Sequence, residues 1–208
     1  MTRLLPGILA MAAIVVASNI LVQFLLGDWL TWGALTYPIA FLVTDVMNRV
    51  YGVAAARKVV VSGFIAGIAC SLIGSQIMLE FGPAVPLRIA VASALAFLIA
   101  QMLDVSIFDK LRRGPWWKAP LVSTFVGSAV DTTLFFTIAF SASVVIFGAN
   151  ADAAINWAWE GVPFLGAGVV APLWVSLAFA DWLVKLSVAL LALIPFRMLV
   201  TKFSPEAG

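Results

Sequence analysis

The chain is laid out in long apolar runs with short polar punctuation, not in the strict alternation of a half-buried strand. Six runs stand out, at roughly 4–26, 32–52, 57–79, 87–109, 119–148 and 162–199, parted by Gly, Pro or charge. About 20 apolar residues in a helix cross the roughly 30 Å of bilayer hydrocarbon, so each run is long enough to span. The pattern predicts an all-α, polytopic integral membrane protein with six transmembrane helices in one compact bundle. Residues 1–208 then form a single transmembrane domain. The fifth and sixth runs exceed the need, which predicts tilt or an interfacial approach such as Val162 to Ala171 ahead of Pro172. The first run follows Arg3. It is longer than a signal-peptide core and has no clear small-x-small site before Gly27, so it is read as a retained span.

Composition closes off the soluble alternative. Of 208 residues, 63% are hydrophobic and 11% charged, and the mean hydropathy is +1.11. Soluble domains carry about 25% charged residues. Loops of at most about a dozen residues leave no room for a soluble catalytic domain. One cysteine, Cys70, and no histidine exclude an intrachain disulfide and the usual metal ligands.

A net charge of +2 says little, but its distribution says more. Arg3, Arg49, Arg57, Lys58, Lys110, Arg112, Arg113, Lys118, Arg197 and Lys202 fall on one side of successive runs. The opposite loops hold Arg88 with Asp28, Glu80, Asp152 and Glu160. By the positive-inside rule both termini are cytoplasmic. Trp29, Trp32, Trp116, Trp117, Trp157 and Trp159 lie near run ends, where interfacial anchors belong.

Against this background the intramembrane charges are conspicuous: Asp45, Asp104, Asp131, and Asp181 with Lys185. A carboxylate at mid-bilayer costs about 2.5–3.5 kcal/mol on insertion scales, so such residues mark a functional site by default. Their neighbours fall at helical spacing. Gln101 and Asp104 present an amide and a carboxylate on one face. Thr124, Ser128 and Asp131 form a polar stripe, Trp174, Asp181 and Lys185 another, and Asp45 and Asn48 a fourth. Four helices each offer a polar face to one cavity between the midplane and the cytoplasmic half. Structural readings stand beside this: Asp181 and Lys185 neutralise each other, Arg49 pairs with Asp45 or snorkels to the interface, and the hydroxyls are helix contacts.

A carboxylate beside an amide suits a ligand edge with N–H donors and an acceptor, as in a purine-like base. Trp174 or a phenylalanine offers a stacking surface. Carboxylates near the midplane can also carry protons, so chemistry alone reaches a small-molecule permease, proton-coupled or not, for a cationic or N–H-rich solute. No motif for nucleotide, serine-hydrolase, zinc-protease or intramembrane aspartyl-protease chemistry is present, so no enzyme, metal or cofactor is expected.

Four segments carry a more specific likeness: TWGALTYPIAFLVTDVMNRVYG (31–52), AQMLDVSIFDKLRR (100–113), WWKAPLVSTFVGSAVDTTLFFTIAF (116–140) and ADWLVKLSVALLALIPFR (180–197). In them the sequence resembles the YhhQ (VUT) family of bacterial queuosine-precursor transporters. The resemblance implies import of 7-cyano-7-deazaguanine, and of its aminomethyl relative, across the bacterial inner membrane for salvage into modified tRNA. It implies Asp45, Gln101, Asp104, Asp131, Asp181 and Lys185 as substrate residues, with Asn48 ranked below Asp45. The partners expected are a deazapurine base and the lipid bilayer, with a homo-oligomer permitted and no nucleic acid. Two alternatives stay open. One is the substrate-binding membrane subunit of an energy-coupling-factor vitamin importer, docking through small residues such as Ala54–Ala55–Ala56. The other is a non-transporting membrane scaffold.

Overall fold

In hydrocarbon every backbone N–H and C=O must find its partner within its own segment, and an α-helix does this residue by residue. The computed structural model describes residues 2–21, 25–26, 30–80, 82–148 and 155–203, and it is mostly helical. Its α-helices are α1 (Leu5–Leu21), α2 (Trp32–Thr36), α3 (Ile39–Tyr51), α4 (Val53–Gln76), α5 (Leu87–Leu111), α6 (Lys118–Phe140) and α7 (Leu173–Phe203). Four of them, α4 to α7, are long and apolar enough to cross a membrane. The first expected span appears as the 17 residues of α1. Residues 22–24, Asp28, Trp29 and Asp152 lie outside the described residues.

Three expected runs are redrawn. The run 32–52 is not one helix but α2 and α3 with a turn at Tyr37–Pro38. Pro38 has no N–H to give the preceding turn. Tyr37 makes the last bond of α2, to the Gly33 carbonyl, and α3 starts on bonds from Ala40 to Tyr37 and from Phe41 to Pro38. The run 119–148 is helical only to Phe140, after which Ser141 is extended. The run 162–199 opens as a hairpin of β5 (Gly161–Pro163) and β6 (Val170–Pro172), so helix begins at Leu173. The short antiparallel pairs β1 (Leu25–Leu26) with β2 (Leu30–Thr31), and β3 (Met78–Leu79) with β4 (Gly82–Pro83), close other turns.

The boundary between the second and third runs also moves. Residues 53–56 are the first turn of α4, and Gly52 alone joins it to α3, at φ 86°. That left-handed conformation is open to glycine without strain. Ala55 and Ala56 are buried among Met11, Met47 and Val59. Most of the small-residue face that a partner subunit would need is therefore spent inside the chain.

The antiparallel pair α5 and α6 is tied at both ends by arginine. Arg88, fully buried in the first turn of α5, donates to the carbonyls of Ile138 and Ser141 at 2.9 and 2.6 Å. Ile138 is among the last residues of α6, whose carbonyls no intrahelical N–H reaches, and Ser141 is its C-cap. The Trp159 indole takes a third, at Phe140, at 2.7 Å. At the opposite end Arg49 donates to the carbonyls of Arg112 and Trp116, and Arg112 donates back to the Arg49 carbonyl at 3.3 Å. Arg197 stacks 4.9 Å over Trp116. Arg49 thus spends its hydrogen bonds on helix-end carbonyls, and the ion pair with Asp45 considered from the sequence is not formed.

Candidate functional site

Sequence places Asp131 and Thr132 side by side on α6, and Asp181 and Lys185 one turn apart on α7. Packing of α6 against α7 brings the four together. Lys185 Nζ lies 2.7 Å from Asp131 Oδ2, 2.6 Å from Asp181 Oδ2 and 2.9 Å from Thr132 Oγ1. The Thr132 hydroxyl donates to Asp181 Oδ2 at 2.8 Å. From the break between α2 and α3, Tyr37 donates to Asp131 Oδ1 at 3.2 Å and sets its ring 5.5 Å from the ammonium. All three protons of Lys185 are therefore used, and both oxygens of Asp131 are bonded. Asp131 and Lys185 are buried, and Asp181 nearly so.

A second cluster joins α3, α5 and α6. Asp45 accepts from the Ser123 and Thr124 hydroxyls, each at 3.4 Å. Asp104 lies alongside, within reach of Asp45 and Ser123. Gly127 permits this approach, because a Cβ there would stand 3.1 Å from that of Asp104 and 3.0 Å from Phe41. Both Asp104 oxygens are fully buried and receive no hydrogen bond among the described residues. Next to it the Gln101 amide is anchored at one end on the Thr44 hydroxyl, 3.1 Å away, and open at the other. Asn48 holds the Val105 carbonyl through Nδ2 at 2.9 Å and leaves Oδ1 without a partner. No lysine or arginine among the described residues ion-pairs with either acid. A narrow cleft of about 10 Å³ between α3, α6 and α7 reaches Asp45 and Thr124 past Pro120, Ala192 and Phe196.

The two clusters sit at different depths. Thr124 and Asp131 are seven residues apart on α6, which is about 10 Å at 1.5 Å per residue. The Asp45–Asp104 pair is nearer the end that carries Arg49, Arg112 and Arg197.

The polar faces expected to converge on one cavity thus form two groups. Asp131, Asp181 and Lys185 make one, and Asp45, Asn48, Gln101 and Asp104 the other. Ser128 joins neither, since its hydroxyl bonds the Phe125 carbonyl of its own helix at 3.2 Å. Trp174 packs near Phe136, Phe140 and Ala158, away from the acids. Sequence reasoning passed over Tyr37, Thr44 and Thr132 as site members. The signal for Tyr37 was that the chain has two tyrosines and this one precedes a proline inside an apolar run.

A membrane protein of long apolar helices with buried, partly unsatisfied acids is the class this geometry defines. A family profile described as "Putative vitamin uptake transporter" matches residues 31–200, and the chain belongs to that family, which is one of transporters and not of enzymes. It is 37% identical over 141 residues to the "Queuosine precursor transporter" of Escherichia coli K12, covering 61% of this chain and 64% of that protein. It is 34% identical over 177 residues to the "Probable queuosine precursor transporter" of Haemophilus influenzae, covering 79% and 66% respectively. A Bacillus subtilis protein of the same name is 30% identical over 197 residues, covering 88% of this chain and 76% of the relative. The matched regions span just under two thirds of the first two relatives. No solved structure matches the chain.

Proposed function

We propose that this protein is a bacterial inner-membrane transporter that imports a queuosine-precursor base, 7-cyano-7-deazaguanine and its aminomethyl form, for salvage into tRNA. The observation that carries the reading is the set of open hydrogen-bonding positions around Asp104 in a chain whose relatives bear that name. The Watson–Crick edge of a deazaguanine has ring and exocyclic N–H donors beside a carbonyl. A carboxylate with both oxygens free accepts the two donors, and the Gln101 amide meets the rest of the edge. Hydrogen bonds to a charged partner each contribute about 1.5–3 kcal/mol. The Lys185 cluster, with its donors already used, serves as the support that joins α6, α7 and the helix break. Discontinuous helices beside buried polar groups are a recurring feature of transporter binding sites.

The narrow cleft implies that the base enters when α3 or α7 moves away from α6. Six crossings with both termini cytoplasmic fit the gathering of Arg49, Arg57, Lys58, Arg112 and Arg197 toward one end. In that arrangement α1 and the α2–α3 pair make the two crossings that are not single membrane-length helices.

The test is uptake of labelled 7-cyano-7-deazaguanine by a strain unable to make it, expressing this protein alone. Accumulation with queuosine appearing in tRNA supports the proposal. Uptake that requires added ATPase subunits would replace it with the vitamin-importer reading. Absence of uptake, with another solute bound by the purified protein, would remove the substrate assignment.

A further inference from the structure

The buried acids outnumber the cation available to them. Asp45, Asp104 and Asp131, with the nearly buried Asp181, face one buried lysine, Lys185, and that lysine is engaged by Asp131 and Asp181. Asp45 and Asp104 stand next to each other with no ion pair. Two adjacent carboxylates in a low-dielectric site do not both ionise. Their geometry has a particular deficit: Asp45 accepts hydrogen bonds from the Ser123 and Thr124 hydroxyls, whereas among the described residues neither Asp104 oxygen receives one. One proton on the pair removes the deficit. It forms an O–H on one carboxyl that donates to the other, a short charge-assisted bond.

We propose that the Asp45–Asp104 pair is a proton-binding site that holds one proton and carries it with the base, making transport proton-coupled. The inference rests on the functional reading above. The proton binds a carboxylate oxygen from the aqueous phase outside and leaves that oxygen into the cytoplasm, so charge and atoms balance with water as donor and acceptor. Every element around the pair is accounted for. From α3 the nearest other charge is Arg49, held on the carbonyls of Arg112 and Trp116. From α5 there is Gln101, and from α6 the hydroxyls of Ser123 and Thr124. The α7 wall of the cleft is Ala189, Ala192, Leu193 and Phe196, with no titratable group. One proton on the pair leaves Asp104 able to accept N–H groups while Asp45 holds the hydrogen.

Two measurements test this. The first needs no substrate: the infrared band of protonated carboxyl groups in the reconstituted protein near neutral pH. The difference between wild type and the doubly substituted Asp45→Asn, Asp104→Asn protein should contain that band. An unchanged band overturns the proposal. The second is base uptake into proteoliposomes with and without an inward proton gradient. One proton per base predicts about tenfold steady-state accumulation per unit of pH gradient. In Asp45→Asn the ratio of uptake with the gradient to uptake without it should fall to one. Wild-type uptake indifferent to the gradient, or an Asp45→Asn ratio equal to that of wild type, overturns the proposal. Wild-type protein that takes up no deazapurine overturns the functional reading instead, and the infrared comparison still decides the proton pair.

Discussion

Two groups of buried acids lie about 10 Å apart along α6, and they treat the same electrostatic problem in opposite ways. Around Lys185, two carboxylates, an ammonium and two hydroxyls bond one another until no lysine donor is left over. Around Asp104, a carboxylate, an amide end and an amide oxygen are left without partners inside the protein. A satisfied buried network fixes helices in place, whereas an unsatisfied one is held at a free-energy cost of about 1–3 kcal/mol per group. The first resembles a joint, and the second is the ligand contact of the proposed function. Burial and charge are common to both groups; what separates them, and what the proposed function rests on, is the unused acceptors and donors around Asp104.

The comparison breaks most directly at Lys185. Lys185→Ala strands two buried carboxylates, and loss of one partner from a buried ion pair costs about 3–5 kcal/mol. The thermal midpoint of the purified protein in detergent should fall further for this variant than for any other named here. Adding Asp181→Ala should restore part of the loss, leaving Asp131 to be matched. If the double variant is as unstable as the single one, the cluster is not a joint.

At the other cluster the effect should move from stability to transport. Asp104→Asn keeps the shape, and its amide N–H can donate to Asp45 in place of the shared proton, so the melting midpoint should stay close to wild type. Uptake should drop on the order of 10- to 100-fold, the equivalent of about 1.5–3 kcal/mol for a charged acceptor. Wild-type uptake rates in this variant would take Asp104 out of the site. Tyr37→Phe probes the link between the joint and the helix break. It removes one hydrogen bond to Asp131 and should lower stability by about 1 kcal/mol, read from chemical denaturation of the purified protein. Ser128→Ala sits at the bottom of the scale. Its hydroxyl bonds only its own helix, so stability should change by less than about 0.5 kcal/mol, and uptake should match wild type.

Much of this was legible in the sequence for a simple reason. In lipid a charge is expensive wherever it occurs, so the acids announced themselves one by one, and helical spacing gave each its face. What spacing could not give was pairing across helices. Asp131 and Lys185 are 54 residues apart, and Asp45 and Ser123 are 78 apart. Nothing local distinguishes the acid that meets a lysine from the acid that meets another acid. For the same reason the four polar faces read as one cavity and proved to be two clusters. Pro38 was in plain view, yet an apolar run hides a helix break because hydropathy is indifferent to a missing N–H. Arg49 read as a partner for Asp45 by proximity in sequence, but helix-end carbonyls of α5 and the loop beyond it competed for it and won.

The single residue between α3 and α4 bears on how the chain enters the bilayer. With only Gly52 as linker, neither helix has slack to choose its direction independently, so in the proposed six-crossing arrangement the two insert as one hairpin with its corner on one side. Arg49 just before the corner and Arg57 and Lys58 just after it then act as a single orientation signal for two crossings. A longer, charge-neutral linker at position 52 would split one topological decision into two.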